Sequence, residues 1–290
     1  MLEGIVLKAY SGFYYVRIKP GKVVECSLRG RFRKEKAKVL PGDYVKITII
    51  NDEQGVVEEL LPRETELLRP PIANVDQALV VVSLCDPVPD LVFLDRLLVY
   101  LERTLVTPVI IFNKIDLARD KATELINIYR DIGYSVISIS AKTGQGVEEL
   151  YSFLPNHISV FAGPSGVGKS SILNALNPGL KLKTGDVSIK SRRGKHTTRY
   201  TELLQLNQGF VADTPGFSRI DLPEITREEL SSLFPEMDLA EERCRFNTCL
   251  HRKEPDCAVK VAVQQKRISP HRYKNYLQFL EEVIGLERSF

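Results

Sequence analysis

The sequence holds no apolar run approaching the ~18 residues that a membrane-crossing helix needs, so no transmembrane segment is read. Its opening, MLEGIVLKAY, has no basic start, no long apolar stretch and no small-residue cleavage site, so no secretory signal is read either. Cysteines number only five, too few and too scattered for a disulfide framework. Without a signal they are expected to be reduced thiols in a cytoplasmic protein, which still leaves room for a metal site. The net charge is only +3, which by itself names no partner. Internal repeats, low-complexity tracts, coiled-coil heptads and an obvious exposed apolar face are all missing. That excludes a solenoid, and a monomer is the default expectation.

What remains is the composition of a soluble globular chain: 43% apolar and 27% charged residues over 290 positions. Residues 1–68 read as all-β. GIVLKA, FYYVRIK, VVECSL and DYVKITII are short, rich in β-branched and aromatic residues, and separated by Gly, Pro or charged turns. Such spacing suits a small barrel of the OB-fold type, a frequent nucleic-acid binder. Within it, SLRGRFRKEKAK carries Arg29, Arg31, Arg33, Lys34, Lys36 and Lys38 against a single Glu35, with Phe32 among them. This is either a solvated loop or a phosphate-contacting, base-stacking one; the RNA-binding candidates are Arg29, Arg31, Phe32, Arg33, Lys34 and Lys36.

Arg69-Pro70-Pro71 looks like a linker, and beyond it the pattern changes. ALVVVSL, PVIIFN and SVISIS are near-continuous apolar runs, as expected of parallel strands buried on both faces. Helical stretches separate them, so residues 69–221 read as an α/β domain. HISVFAG adds a strand, and YTELLQL with FVADTPG reads as a hairpin. Residues 222–290 read as helical, with one helix in DLPEITREELSSLFPEM, a cysteine cluster, and a final helix ending the chain.

GPSGVGKS fits the phosphate-loop pattern through Gly163, Pro164, Ser165, Gly166, Val167, Gly168, Lys169 and Ser170, with Ser171 following, between a strand and a helix. Glycines let backbone N–H groups wrap phosphates, and the helix N-terminus adds partial positive charge. Lys169 is expected on the β- and γ-phosphates and Ser170 on Mg²⁺. Asn113-Lys114-x-Asp116 chooses guanine. The Asp116 carboxylate can accept from the ring N1–H and the exocyclic amine, a donor pair adenine lacks. Asn113 would tether the loops and Lys114 lie along the base. Ser140, Ala141 and Lys142 end the next strand, and the Ala141 backbone is expected at the guanine oxygen.

DTPG supplies Asp213 for Mg²⁺ and the Gly216 N–H for the γ-phosphate. HTTR supplies Thr198 as the Mg²⁺ ligand that senses the γ-phosphate, with Thr197 as the alternative. In an uninterrupted guanine-nucleotide domain the phosphate loop comes first; here Asn113 precedes Gly163 by 50 residues. A circular permutation accounts for that order, since chain termini tend to lie close together at the surface. The fold class is therefore multidomain α/β: an N-terminal OB-fold β-barrel, a circularly permuted P-loop GTPase domain and a C-terminal helical zinc-binding domain.

Ras-type enzymes orient water with a glutamine after DxxG. Phe217 stands there instead, so intrinsic hydrolysis is expected to be slow, and His196 is the candidate catalytic group because imidazole can orient water near neutral pH. Cys244, Cys249, His251 and Cys257 offer three thiolates and one imidazole, a set suited to closed tetrahedral Zn²⁺; scattered buried cysteines are the alternative. Cys26 and Cys85 read as small core residues.

These motifs in this order, with NVDQ at 74–77 and a C-terminal cysteine–histidine cluster, resemble the RsgA family of circularly permuted GTPases across essentially the whole chain. Lys195 where Arg is common and Asp256 where Gly is usual are small departures. The resemblance implies hydrolysis of GTP to GDP stimulated by the 30S ribosomal subunit, contact with 16S rRNA, one structural zinc, and His196 as the catalytic residue. Three rival readings are a small-molecule kinase or ATPase, an RNA-binding module with incidental hydrolysis, and the same GTPase acting on tRNA or the large subunit.

Overall fold

A computed structural model describes residues 1–30, 38–68, 70–118, 121–180, 201–213, 220–241 and 244–288. The N-terminal strands are β1 (Leu2–Tyr10), β2 (Phe13–Ile18), β3 (Lys22–Leu28), β4 (Tyr44–Ile49) and β5 (Gln54–Leu60). β1, β2 and β3 pair antiparallel in sequence, β3 pairs parallel with β5, and β4 closes the circle between β5 and β1. This five-stranded closed order is that of an OB-type barrel. Alternation along each strand sends Val6, Val16, Val24, Cys26, Val45, Ile47 and Val57 into its interior.

Of the expected linker Arg69-Pro70-Pro71, Arg69 lies outside the described residues, and Pro71 belongs to a strand. The chain flanking it pairs as a short hairpin, β6 (Glu66–Leu68) with β7 (Pro71–Ala73). Leu67 and Ile72 from this hairpin are buried in the core of the following α/β unit, and that burial outweighs the local turn signal of the prolines.

The α/β unit runs β8 (Gln77–Ser83), α1 (Leu91–Thr104), β9 (Thr107–Asn113), α2 (Lys121–Ile132), β10 (Ser135–Ile139), α3 (Val147–Ser152), β11 (Ile158–Ala162), α4 (Lys169–Leu176), β12 (Glu202–Leu206) and β13 (Gly209–Asp213). Its strands lie in the order β10-β9-β8-β11-β13-β12, parallel except for β12. One apolar cluster covers each face, which is why β8 is buried at every position and reads as an unbroken apolar run. β11, which carries the phosphate loop, enters late in the chain yet lies between β8 and β13. Among the described residues, barrel and sheet join at one β1–β12 pairing, Lys8 opposite Glu202.

C-terminal residues form a 3₁₀ turn (Ser231–Leu233), α5 (Pro235–Glu241), α6 (Ala258–Gln264) and α7 (Pro270–Glu287). The helix expected within DLPEITREELSSLFPEM lies at its very end: Phe234 takes an extended conformation and α5 starts at Pro235. A proline disfavours helical geometry in the residue before it and fits the first helical position, so the chain restarts there. Val99 of α1 is buried in the same cluster as Phe234, Tyr276 and Phe279, which seats the C-terminal helices on α1. Among the described residues no helix is long and apolar enough to cross a membrane.

Candidate nucleotide site and metal cluster

β11 ends at Ala162 and α4 begins at Lys169, and the loop between them is built on left-handed glycines: Gly163 at φ 137°, Gly166 at 82° and Gly168 at 103°. Two of these positions also lack room for a side chain. A Cβ on Gly163 would lie 2.4 Å from the Val81 carbonyl oxygen, and one on Gly168 would lie 2.2 Å from Asn113 Nδ2. Lys169 is 5% exposed, and its Nζ donates to the carbonyl oxygens of Gly163 (2.7 Å) and Pro164 (2.6 Å). Burial lowers its pKa to about 8. A desolvated ammonium held by loop carbonyls at a helix N-terminus is prepared to receive an anion. Ser170 and Ser171 sit half-buried in the first turn of α4.

Strand register brings the base-reading motifs together. Asn113 ends β9 opposite Ile139, the last residue of β10, so NKID and SAK leave neighbouring parallel strands at one edge. The Asn113 side chain then ties three segments. Its Nδ2 donates to the Val167 carbonyl at 2.8 Å, and its Oδ1 accepts from the Ala141 N–H at 3.1 Å. The Ala141 N–H, expected at a guanine oxygen, is thus engaged by Asn113 in this structure. Ser140 is fully buried; its hydroxyl donates to Asp116 Oδ1 at 2.7 Å and accepts from the Thr143 N–H at 3.2 Å. Asp116 itself is exposed, so its carboxylate is oriented from behind and open in front. Lys114, at φ 68°, sends Nζ to the Gly166 carbonyl at 2.9 Å and to the Asp86 carbonyl. Lys142 is exposed beside them. Asp86 was not legible in the sequence, because it contributes a backbone carbonyl that any residue carries.

Asp213 ends β13, whose neighbour β11 leads into the phosphate loop. Its side chain, and His196, Thr197, Thr198, Gly216 and Phe217, lie outside the described residues. So do Arg31, Phe32, Arg33, Lys34 and Lys36 of the basic segment. Arg29 is described, and it is ion-paired with Glu58 on β5.

Cys244, Cys249, His251 and Cys257 converge, with their ligand atoms all within 4.8 Å of one another. His251 Nδ1 lies 3.7 Å from Cys244 Sγ and 3.4 Å from Cys257 Sγ, and the two sulfurs are 4.0 Å apart. Tetrahedral zinc with ~2.3 Å bonds to sulfur requires sulfurs ~3.7 Å apart, so the donor set fits that ion. Burial pushes the Cys249 thiol up to about 12 and raises Cys257 as well, so without a cation these thiols stay protonated. The loop is held open for the ligands by its neighbours. Tyr273 and Tyr276 hydroxyls donate to the carbonyls of His251 (2.6 Å) and Leu250 (3.0 Å). The Glu254 carboxylate accepts from the N–H groups of Leu250, Arg252 and Lys253 at 2.8–2.9 Å.

Comparison with known proteins agrees with this geometry. A family model described as RsgA GTPase matches residues 60–223, and one described as RsgA N-terminal domain matches residues 3–57. The chain is 53% identical to a small ribosomal subunit biogenesis GTPase RsgA of Moorella thermoacetica, covering 100% of both chains. It is 48% identical to the RsgA of Carboxydothermus hydrogenoformans, covering 99% of this chain and 100% of the relative. Among solved structures it superimposes on YloQ, described as a circularly permuted GTPase, with a TM-score of 0.84 at 40% identity, over 98% of this chain and 96% of that one. YjeQ from Thermotoga maritima gives 0.86 at 39% identity, over 98% and 99%.

Proposed function

The chain belongs to the RsgA family of GTPases, and from that premise we propose that it binds the small (30S) ribosomal subunit and hydrolyses GTP to GDP and phosphate during its assembly. The observation that supports this reading is the Asn113 side chain, which bonds both the phosphate loop and the loop after β10, with Ser140 of that second loop bonded to Asp116. A kinase or ATPase of small molecules has no use for that guanine-reading edge.

Lys169 binds the β- and γ-phosphates and the loop amides wrap them. Ser170, Thr198 and Asp213 hold Mg²⁺, with Thr197 as the alternative to Thr198, and Gly216 contacts the γ-phosphate. Asp116 reads the guanine N1–H and amine. Phe217 cannot orient water, so His196 takes that role, and the ribosome brings it into position. One zinc ion on Cys244, Cys249, His251 and Cys257 supplies a cross-link and no chemistry, because four protein ligands leave no open coordination position. The basic segment from Arg29 to Lys36 contacts 16S rRNA. The protein acts in the cytoplasm as a monomer, and the γ-phosphate contacts made after β13 act on the C-terminal unit that follows in the chain.

The test is GTP turnover by the purified protein alone, with 30S subunits, with 50S subunits and with tRNA. Stimulation by 30S alone is expected. Equal rates in all four samples would remove the ribosome-activated reading, and stimulation by 50S or tRNA would reassign the partner. Competition with ATP in the same assay is expected to leave GTP turnover unchanged.

A further inference from the structure

The NVDQ tetrapeptide at 74–77 takes no part in the nucleotide site, yet its polar side chains are engaged on two sides. Asp76 Oδ1 lies 2.6 Å from His157 Nδ1, and its Oδ2 accepts from the Ile158 N–H at 3.0 Å. Gln77 Nε2 donates to the Phe153 carbonyl at 2.8 Å and to Ser159 Oγ at 2.7 Å. Both therefore bind the 153–159 segment that leads into β11 and the phosphate loop. Asn74 points the other way. Its Oδ1 accepts from the Glu64 N–H at 2.9 Å, and its Nδ2 donates to the Gly42 carbonyl of the barrel at 2.9 Å.

The barrel answers with its own buried polar group. Asp43, 1% exposed, accepts from Arg63 Nε at 2.7 Å, Arg63 Nη2 at 2.9 Å and the Leu40 N–H at 2.7 Å. Arg63 Nη2 also donates to the Lys38 carbonyl at 2.6 Å. Lys38 is the last residue of SLRGRFRKEKAK, the stretch that holds the basic residues. Gly42, at φ 91°, approaches so closely that a Cβ there would lie 2.0 Å from the Ala73 carbonyl oxygen. The other contacts between the described parts of the units are exposed or apolar: the β1–β12 pairing carries an exposed Lys8–Glu202 ion pair at 3.3 Å on the rim. Ile5 shares an apolar core with Leu203, and Arg17 sits over the Phe210 ring at 5.6 Å. Apolar contact is non-directional, whereas a set of buried hydrogen bonds fixes an angle.

We propose that Asp43, Arg63 and Asn74 form a polar clasp that sets the orientation of the barrel against the GTPase sheet, and that through this clasp a partner bound on the barrel acts on GTP hydrolysis. The three are positioning residues. Among the described residues they touch no nucleotide-site group, and β8, which starts at Gln77, runs from the clasp to Val81, whose carbonyl packs on Gly163. The second half of the proposal rests on the 30S-stimulated reading above.

The test uses the full-length protein and Asn74→Gly, which keeps the left-handed backbone (φ 54°) while deleting both side-chain bonds. Arg63→Lys is the milder second variant, retaining charge but losing the two-pronged grip on Asp43. Three quantities are measured: intrinsic turnover, affinity for 30S subunits, and 30S-stimulated turnover. Intrinsic turnover and 30S affinity are expected to stay within about twofold, and stimulated turnover to fall roughly tenfold or more, because small misplacement far from the chemistry suffices for such losses. A parallel fall in intrinsic and stimulated rates, or full stimulation in both variants, would overturn the proposal. Distances between fluorophores on non-natural residues at positions 23 and 148 test the clasp without ribosomes. Asn74→Gly is expected to broaden or shift the distribution, and an unchanged distribution would overturn the clasp whatever the ribosome assay shows. If the wild-type protein is not stimulated by 30S, the partner reading fails, while this distance measurement still decides the clasp.

Discussion

Lys169 must be buried to reach phosphate and charged to bind it. With its pKa lowered from 10.5 to about 8, the nucleotide-free protein binds fewer protons than the unfolded chain between those values. The cost of burying the ammonium is fully present below about pH 8 and is relieved as pH rises, so this group makes the free protein more stable from pH 8 towards 10.5. Nucleotide binding runs the opposite way, since phosphate needs the ammonium. GDP affinity is expected to fall above about pH 8, by up to ~tenfold per unit. Calorimetry in buffers of different ionisation enthalpy should show proton uptake on binding there. Lys169→Arg, if it binds at all, should show neither effect, because guanidinium does not titrate in this range. Gly168→Ala is expected to abolish GDP binding, as its Cβ would lie 2.2 Å from Asn113 Nδ2 and force the tether apart. Fluorescent GDP titration, with circular dichroism as the folding control, reads that outcome. At this scale the sequence was informative because phosphate and guanine recognition need particular side chains. It was silent on the carbonyls of Asp86 and Val167, which carry no residue identity.

Elements responded to longer-range forces. The parallel strands were legible, since burial on both faces leaves no polar alternation. The hairpin around Pro70 was not, because what decides it is the burial of Leu67 and Ile72 against residues far along the chain. Within 221–237 the α-helix starts only at Pro235, and the reason is local, since proline suits the first helical position. The metal loop is the element most dependent on an added ion. One zinc per chain is expected by metal analysis. Strong chelation, or Cys257→Ser, should lower the thermal midpoint while leaving GDP affinity nearly unchanged, because the cluster belongs to the C-terminal apolar core and the Asn113 tether to the loops of the GTPase sheet. Metal release should sharpen as pH falls, since protons compete for thiolates and imidazole. A Cys257→Ser protein with wild-type stability and full metal content would contradict the assigned ligand set.

In the whole molecule, the C-terminal unit is joined to the GTPase sheet by a buried ion network. Arg272, fully buried, donates to Asp95 of α1 at 2.7 Å and to both oxygens of Glu236 at 2.7 and 2.9 Å. The Tyr129 hydroxyl and the Asn275 amide complete the shell around Asp95 at 2.9 and 2.6 Å. Arg96 grips Glu282 with two bonds of 2.6 Å beside it. Removing one member of such a network leaves an uncompensated buried charge, so Arg272→Met is expected to cost ~3–5 kcal/mol in urea unfolding. Loss of the network should also split one unfolding transition into two, read by following the C-terminal tyrosines and bound GDP separately. A single transition at the wild-type midpoint would show that the network is not what holds the units together.

The sequence by itself determined the chemistry and its cyclic order. Phosphate loops, guanine-reading carboxylates and thiolate clusters are sets of side chains, and strands buried on both faces announce themselves by continuous apolarity. Tertiary structure alone decided which loops meet and at what angle the units sit. The Asn113 tether, the Asp43–Arg63–Asn74 clasp and the Arg272 network each join residues far apart in the chain. Such contacts form only where folding removes water from polar groups that must then find partners, and no local pattern records which partner that is.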